Sequence, residues 1–345
     1  MKKHTVLIAA AVAAVLLMAA VCLFVGTANM TPADAVRALL HRGTPAHERI
    51  IWNIRLPRVL AAILAGAGLS LSGLMMQTTL NNPMASPSTL GVSNAAVFGA
   101  NLSIIAFAGG FLSTGSNPEN YTVGANPYST SLLAFLFSTL SILLILGLCR
   151  LRAFSPNVVV LAGVAVGALW TAATTVLQFY ATDVGLSAAV VWSFGDLGRA
   201  TYKTDLIMLA TVALGFVFFR CMAWRFNALL SGEATARSMG VPVEALRFFA
   251  MLAASVITAV CVSFLGVIGF VGIICPHVTK RLIGQDHRYT VPLSTLGGSL
   301  LLLMADTLSR SIGNGSALPV GAITSLLGAP FFIAIILSGR EGHGC

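Results

Sequence analysis

The chain has 345 residues, of which 57% are hydrophobic and only 9% are charged. A soluble globular domain carries about 25% charged residues, so this composition excludes an ordinary soluble fold and predicts a membrane protein. The net charge of +9 is spread over loops, which favours a role in membrane topology over nucleic-acid binding. The six cysteines lie far apart, so they indicate neither a disulfide framework nor a zinc site.

Apolar stretches that could cross a bilayer as helices recur along the whole chain. The first follows Lys2 and Lys3 and exceeds the roughly 7–15 residues of a signal-peptide core, so we predict an uncleaved first span. The pattern predicts an all-α polytopic membrane protein of about ten transmembrane helices, forming one domain over 1–345. Basic residues are more frequent in the segments on one side, which favours cytoplasmic N- and C-termini. The predicted helices are 5–26, 58–79, 89–112, 130–149, 157–179, 205–222, 246–265, 272–283, 291–311 and 318–338.

The stretch "GVIGFVG", Gly266–Gly272, lies inside a long apolar run and is rich enough in glycine to break a helix. A broken helix at membrane depth is tolerated only where protein or a water-filled cavity surrounds it. The break therefore indicates a functional region of the protein.

The sequence offers little chemistry of its own. "GRATYKT" is the nearest approach to a phosphate-binding loop, but it has a tyrosine where the second glycine is required. Asp306 is the strongest acidic candidate deep in a span, and its i,i+4 spacing to Arg310 favours a structural ion pair over an ion-coupling site. In "CPHVTKR", Cys275 and His277 supply only two of the four ligands of a tetrahedral metal site. We therefore predict neither an enzyme nor a metal site.

The most polar stretch is "SGEATARSMGVPVEALR", residues 231–247. Helix-forming residues run from Ala228 to Met239, and Gly240 is placed to end that helix. An amphipathic helix lying on the lipid surface is one interpretation. The many small residues leave little apolar area for that, so insertion into a groove of a partner protein fits better.

Five motifs in order along the chain resemble the FecCD-type permeases, the membrane subunits of ATP-binding-cassette (ABC) importers for iron-siderophores, haem and cobalamin. The motifs are "IRLPRVLAAILAGAGLSLSGLMMQTTLNNPMASPSTLGVSNAA", "LAGVAVGAL", "VWSFGDLG", "GFVGIICPHVTKRLIGQDHR" and "LPVGAITSLLGAPFFIAIIL". The resemblance implies a cobalamin-importer-permease-like fold in a bacterial inner membrane, with no cofactor on this chain.

The resemblance also implies partners. These are a second permease copy or paralogue, two cytoplasmic ATPase subunits that bind ATP and Mg²⁺, and an extracytoplasmic binding protein that delivers the chelate. Iron-siderophore or haem is the leading cargo, with cobalamin or another metal chelate as the alternative. A stand-alone secondary transporter and a scaffold without a pathway remain rivals. "GGFLSTGSNPENYTVGANPYST" is longer than the family's usual connection, and no residue identifies the ligand.

Carried over residue by residue, the resemblance implies four sets of sites. We call 228–243 the coupling segment, because it matches the family's ATPase-binding helices. One of these sets consists of arginines expected to dock the binding protein. Arginines at a membrane edge are also common interfacial anchors, which is the alternative interpretation of that set. The expected sites are Ser231, Gly232, Glu233, Ala234, Ala236, Arg237, Met239, Gly240 and Val241 for ATPase coupling; Asn82, Pro83, Met84, Ser155 and Asn157 for a cytoplasmic gate; Arg55, Arg58 and Arg310 for binding-protein docking; and Gln77 for the pathway.

Overall fold

The computed structural model describes residues 2–26, 30–107, 126–150, 156–312 and 317–338. Almost all of these residues are helical, which confirms the predicted all-α membrane fold. The helices are α1 Lys2–Phe24, α2 Pro32–Leu39, α3 Pro45–Arg49, α4 Leu56–Thr79, α5 Val92–Asn101, α6 Pro127–Arg150, α7 Pro156–Phe179, α8 Asp183–Ser193, α9 Tyr202–Cys221, α10 Ala223–Leu230, α11 Glu233–Ser238, α12 Val243–Leu265, α13 Val271–Ile283, α14 His287–Ile312 and α15 Val320–Ser338.

Seven helical stretches of the described ranges are long and apolar enough to cross a membrane, namely α1, α3–α4, α6, α7, α9, α12 and α14. The other three predicted spans correspond to α5, α13 and α15. α5 continues into a π-helical turn at Leu102–Phe107, and α13 has only 13 residues. The sequence did not predict α8, which follows α7 after a short turn.

α4 lies at the centre of the bundle, because small residues let its neighbours approach closely. A Cβ atom at Gly66 would overlap the carbonyl oxygen of Gly298 in α14. Beside this contact the Ser70 hydroxyl donates to the Ser294 carbonyl at 2.7 Å, and the Ser299 hydroxyl donates to the Ile63 carbonyl at 2.8 Å. Close backbone approach with hydroxyl bonds is typical of helix packing in membranes, and here it holds α4 antiparallel to α14.

The glycine-rich break predicted between α12 and α13 is confirmed. Gly266 has φ +79° and Phe270 has φ +66°, so the helix stops and restarts around them. The Asp196 N–H donates to the Leu265 carbonyl at 2.7 Å, and a Cβ atom at Gly195 or Gly321 would overlap the Val267 carbonyl oxygen. The irregular backbone is therefore enclosed by protein, as a membrane interior requires.

The predicted site residues lie towards the two ends of the bundle. The arginine end contains Arg55, Arg58 and Arg310, where α1 finishes and α4 begins. The coupling end contains α10 and α11, together with the finish of α4 and the start of α14. Along α14 the order of contacts with α4 runs from His287, bonded to Thr78, to Asp306, bonded to Arg58, which fixes the two ends at opposite sides.

Candidate functional site

The coupling segment is folded as a turn between two short helices. Gly232, between α10 and α11, has φ +106°, a conformation that L side chains rarely adopt. The prediction of one continuous helix over Ala228–Met239 is therefore wrong, because the chain turns at this glycine. The predicted stop at Gly240 is confirmed, since its φ is +77° and the Val241 N–H donates back to the Ala236 carbonyl at 3.0 Å.

Most of the residues expected to face an ATPase are on the surface of the chain. Glu233 is half-exposed, whereas Ala236 and Val241 are buried and join the main apolar core. Those two side chains therefore pack the coupling segment against the core of the bundle. The exposed members of the set are Ser231, Gly232, Ala234, Arg237, Met239 and Gly240.

The charges of α11 form a small network. Arg237 Nη2 lies 2.9 Å from Glu233 Oε1 and 3.4 Å from Glu244 Oε1, as the i,i+4 spacing of Glu233 and Arg237 predicts. These pairs are exposed and contribute little to stability. Glu233 also lies 3.1 Å from Nη1 of Arg247, a side chain of α12 that is only 6% exposed. The network therefore extends from the surface into the bundle.

The base of the coupling segment is tied to α14. Asn227 Nδ2 donates to Asp286 Oδ1, and Asn227 Oδ1 accepts the His287 N–H, each at 2.8 Å. Partial burial raises the pKa of Asp286, but hydrogen bonds from Arg288 and Asn227 outweigh it and bring the pKa to about 2. The carboxylate therefore stays charged near neutral pH and orients the Asn227 amide.

The gate loop, Asn81–Ser88, leaves α4 through a tight turn. Asn81 has φ +45°, and the Asn82 N–H reaches back to the Gln77 carbonyl at 3.1 Å. This is the bonding of a helix end that closes on a left-handed residue. The Met84 N–H then donates to Asn82 Oδ1 at 2.9 Å, which fixes the next bend. The path of the loop is therefore set by a backbone bond to α4 and by the side chain of Asn82.

Met84 is half-exposed at the tip of the gate loop. A cavity of about 290 Å³ lies beside it, and Asn82 lines the same cavity. Asn157 is exposed at the start of α7, and Ser155 lies outside the described residues. The other lining residues are Ala85, Thr89, Leu90, Val160, Val164, Phe270 and Ile273.

A polar groove continues from the gate loop along the facing sides of α5 and α7. The groove has a volume of about 590 Å³, and hydroxyl and amide groups are set among glycines along it. Asn94 Nδ2 donates to the Gly167 carbonyl at 3.2 Å and to the Thr171 hydroxyl at 3.1 Å. Farther along, Gln178 donates to Asn101 at 2.9 Å. An open groove with polar side chains on the outside of a bundle is unusual at membrane depth, since lipid offers those side chains no hydrogen bonds.

Gln77 is enclosed within the chain itself. Its side chain is 3% exposed, and Lys280 of α13 donates to its Oε1 at 3.1 Å. Its Nε2 lies 3.4 Å from the carbonyl oxygens of Gly272 and Ile273. The contacts join α4 to α13 one turn before the gate loop, and the pathway role of Gln77 stays a prediction.

The three arginines expected to dock a binding protein are all buried, with exposures of 4% for Arg55 and 8% for Arg58 and Arg310. Arg58 Nε donates to Oδ1 of the fully buried Asp306 at 2.7 Å. Arg310 Nη2 lies 2.9 Å from Asp306 Oδ2, which confirms the predicted i,i+4 ion pair. Arg58 also faces Asp196 at 3.7 Å.

The same arginines close the end of α1. Arg310 Nη1 donates to the carbonyls of Cys22 and Val25, at 3.0 and 2.6 Å, and Arg55 donates to the carbonyl of Leu23 at 2.7 Å. Guanidinium groups at the carbonyl end of a helix satisfy unpaired acceptors and oppose the helix dipole. The arginines therefore join α1, α4 and α14, and their contact with a binding protein stays a prediction.

Sequence reasoning missed several residues of these sites. The sequence assigned no site to Arg247, although an arginine one turn inside an apolar run is costly and points to a buried partner. Asp196 and Lys280 were missed because their partners are distant in sequence. The groove residue Asn94 lies in a stretch that resembles the family, but its side chain gave no local signal.

The model of the FecCD transport family matches residues 12–338. A Methanocaldococcus jannaschii protein with a provisional name as an ABC transporter permease is 46% identical over 316 residues, which cover 91% of this chain and 89% of the relative. The hemin transport system permease protein HmuU of Yersinia pestis is 35% identical over 328 residues, 94% of this chain and 95% of HmuU.

Two further relatives agree. The vitamin B12 import system permease protein BtuC of Escherichia coli is 35% identical over 298 residues, 86% of each chain. A solved structure, provisionally described as a metal-chelate type ABC transporter in an inward-facing conformation, superposes with a TM-score of 0.81. It is 25% identical and covers 97% of this chain and 99% of that one. With the family model and these relatives matched over most of its length, the chain belongs to the FecCD transport family.

Proposed function

We propose that this chain is the permease subunit of an ABC importer for a metal chelate, driven by ATP hydrolysis on separate subunits. The observation that carries the proposal is α11, a short charged helix that stands exposed at one end of an otherwise apolar bundle. Its small exposed side chains suit a groove on another protein. One of two ATPase subunits, which hold ATP and Mg²⁺, would receive this helix, and the other would receive the same helix of a second permease. The chain itself carries no cofactor and catalyses no reaction.

The polar groove between α5 and α7 supports the transport role. It opens on the outside of a single chain, so a second permease copy or paralogue is needed to enclose it. The gate loop lies at one end of the groove, where Met84 can close the gap as the loop moves with its turn at Asn81. The chelate would then pass intact between two permeases, without tight binding that would retain it.

The proposal fixes an orientation. The coupling end faces the cytoplasm with both termini, and the arginine end faces a binding protein outside the membrane. The membrane is then the plasma membrane, in a bacterium the inner membrane. The buried arginines are better placed to hold the shape of the docking surface than to touch the partner.

The cargo is proposed from relatives alone. Haem and vitamin B12 are named for two relatives, and a metal chelate for the solved structure. An iron-siderophore or haem is the first candidate, and cobalamin or another metal chelate is the alternative. Competition for uptake among haem, cobalamin and a ferric siderophore separates them.

ATPase association tests the proposal directly. Ala234→Arg puts a bulky cation on the exposed face of α11 and should abolish co-purification of the ATPase from the native membrane. Gln285→Arg makes the same charge change at an exposed position of the same end, outside the coupling segment, and should leave co-purification intact. Equal co-purification with both variants would contradict the proposal.

A further inference from the structure

Arg247 joins the coupling segment to the end of α4. This guanidinium is buried one turn into α12 and makes contacts in two directions. Its Nε donates to the Thr79 carbonyl at 3.1 Å, and its Nη1 lies 3.1 Å from Glu233 Oε2. One side chain therefore contacts both the first residue of α11 and the last residue of α4.

The Thr79 carbonyl is a meaningful anchor because the gate loop begins directly beyond it. Carbonyls in the last turn of a helix lack a helical partner, and a cation there also opposes the helix dipole. Leu80 caps α4, and Asn81 turns the chain with φ +45°. Arg247 thus fixes the Thr79 carbonyl, two residues before the turn at Asn81 where the gate loop begins.

Glu233 is the movable member of the contact. α11 has six residues and is bounded by Gly232 and Gly240, both with positive φ. Ala236 is the residue of α11 that packs in the core, and such glycine turns let the short helix pivot on that contact while α12 keeps its place. Any shift of α11 changes the distance from Glu233 to Arg247, and so changes how firmly Arg247 holds Thr79.

We propose that Arg247 is a positioning residue that transmits motion of the coupling segment to the gate loop. The proposal rests on the function proposed above and names the physical link within this chain. A guanidinium is required because its planar fork reaches an acceptor and a carboxylate in fixed geometry, whereas the single ammonium of lysine does not. Arg237 and Glu244 share the same charge network without reaching α4.

Hydrogen exchange on the full chain in lipid nanodiscs tests the link without any ATPase. The Asn82 and Ala85 amides report on the gate loop, since they donate to the Gln77 and Asn82 carbonyls. Arg247→Lys should speed their exchange by roughly tenfold, the equivalent of one charge-assisted hydrogen bond. Unchanged exchange in this variant would overturn the proposal.

Glu233→Gln provides a second variant in case Arg247→Lys does not fold, because Glu233 is half-exposed. It removes the ion pair and leaves the bond to Thr79, so the same amides should exchange faster, by about threefold. Glu244→Gln is the matched control: it removes a carboxylate from the same network and should leave exchange unchanged. Equal effects of these two variants would also overturn the proposal.

Coupled transport separates a positioning role from a purely structural one. In the complex with its ATPase, Arg247→Lys should keep ATPase binding and ATP hydrolysis but lower uptake per ATP hydrolysed by about fivefold or more. Unchanged uptake per ATP would overturn the transport role of Arg247. Failure of the parent chain to bind an ATPase would instead overturn the proposed function, while the exchange measurement would still decide on the link.

Discussion

Asp306 balances two buried guanidinium groups, and its neutralisation should be among the most destabilising single changes in the chain. Its carboxylate is fully buried, with Arg58 Nε at 2.7 Å and Arg310 Nη2 at 2.9 Å. Asp306→Asn keeps the size of the side chain but removes its charge. Two cations with side chains 10% and 5% exposed would then lie beside a neutral amide.

The expected cost follows from that geometry. Breaking a buried ion pair by removing one partner costs about 3–5 kcal/mol, because the remaining charge stays desolvated. For a chain of this length the loss corresponds to a fall of roughly 5 °C in the apparent unfolding temperature. Replacing all three side chains by apolar ones, Arg58→Met, Asp306→Leu and Arg310→Met, should recover part of this loss, since the one charge that loses a partner, Asp196, is half-exposed.

The assay is thermal unfolding in lipid nanodiscs, followed by intrinsic tryptophan fluorescence. Asp34→Asn is the control, because Asp34 pairs with Arg37 at 3.8 Å on an exposed helix, and such surface pairs contribute little to stability. A shift for Asp306→Asn no larger than that of the control would refute the reasoning.

Three further predictions concern packing, pH and the gate. Gly298→Ala should lower the free energy of unfolding by about 2–3 kcal/mol, because the new methyl group overlaps the α4 backbone. Gly297→Ala is the control and should leave it unchanged, since the nearest atom of a neighbouring helix would lie 3.9 Å from the new methyl group. Equal effects of the two variants in thermal unfolding would contradict the packing. The stability that Asp286 provides over Asp286→Asn should be constant above about pH 4, the ordinary pKa of the group, and should disappear as the pH falls towards its folded pKa of about 2. A difference that faded between pH 7 and 5 would contradict that assignment. Met84→Trp should block most chelate uptake while the complex still assembles, and Leu282→Trp, exposed near the same end, should not; equal uptake by both variants would remove Met84 from the gate.

The sequence allowed the helices and their breaks to be predicted because those depend on local properties. Apolar length marked the long spans, and glycine marked the ends of helices at Gly240 and Gly266. The turn at Gly232 was missed because the alanine, leucine, glutamate and arginine residues on either side favour a helix. Apolarity alone also hid α8, which is short and follows α7 closely.

The contacts of the candidate sites could be predicted only where the partners were neighbours in sequence. Spacing predicted the pairs of Asp306 with Arg310 and of Glu233 with Arg237. The bond from Arg58 to Asp306 spans 248 residues, and no local pattern indicates it. The family resemblance therefore suggested a docking surface at Arg55 and Arg58, and nothing near them in sequence indicated the buried carboxylate of Asp306.

ATP-dependent uptake is the most direct test of the central claim. The chain, its co-purified ATPase and its binding protein are reconstituted in liposomes with a labelled metal chelate, and uptake is followed with ATP on the ATPase side. Uptake should require ATP, persist without a proton or sodium gradient, and fail with Ala234→Arg but not with Gln285→Arg. Uptake that proceeds without ATP or the ATPase, driven by an ion gradient, would contradict the account.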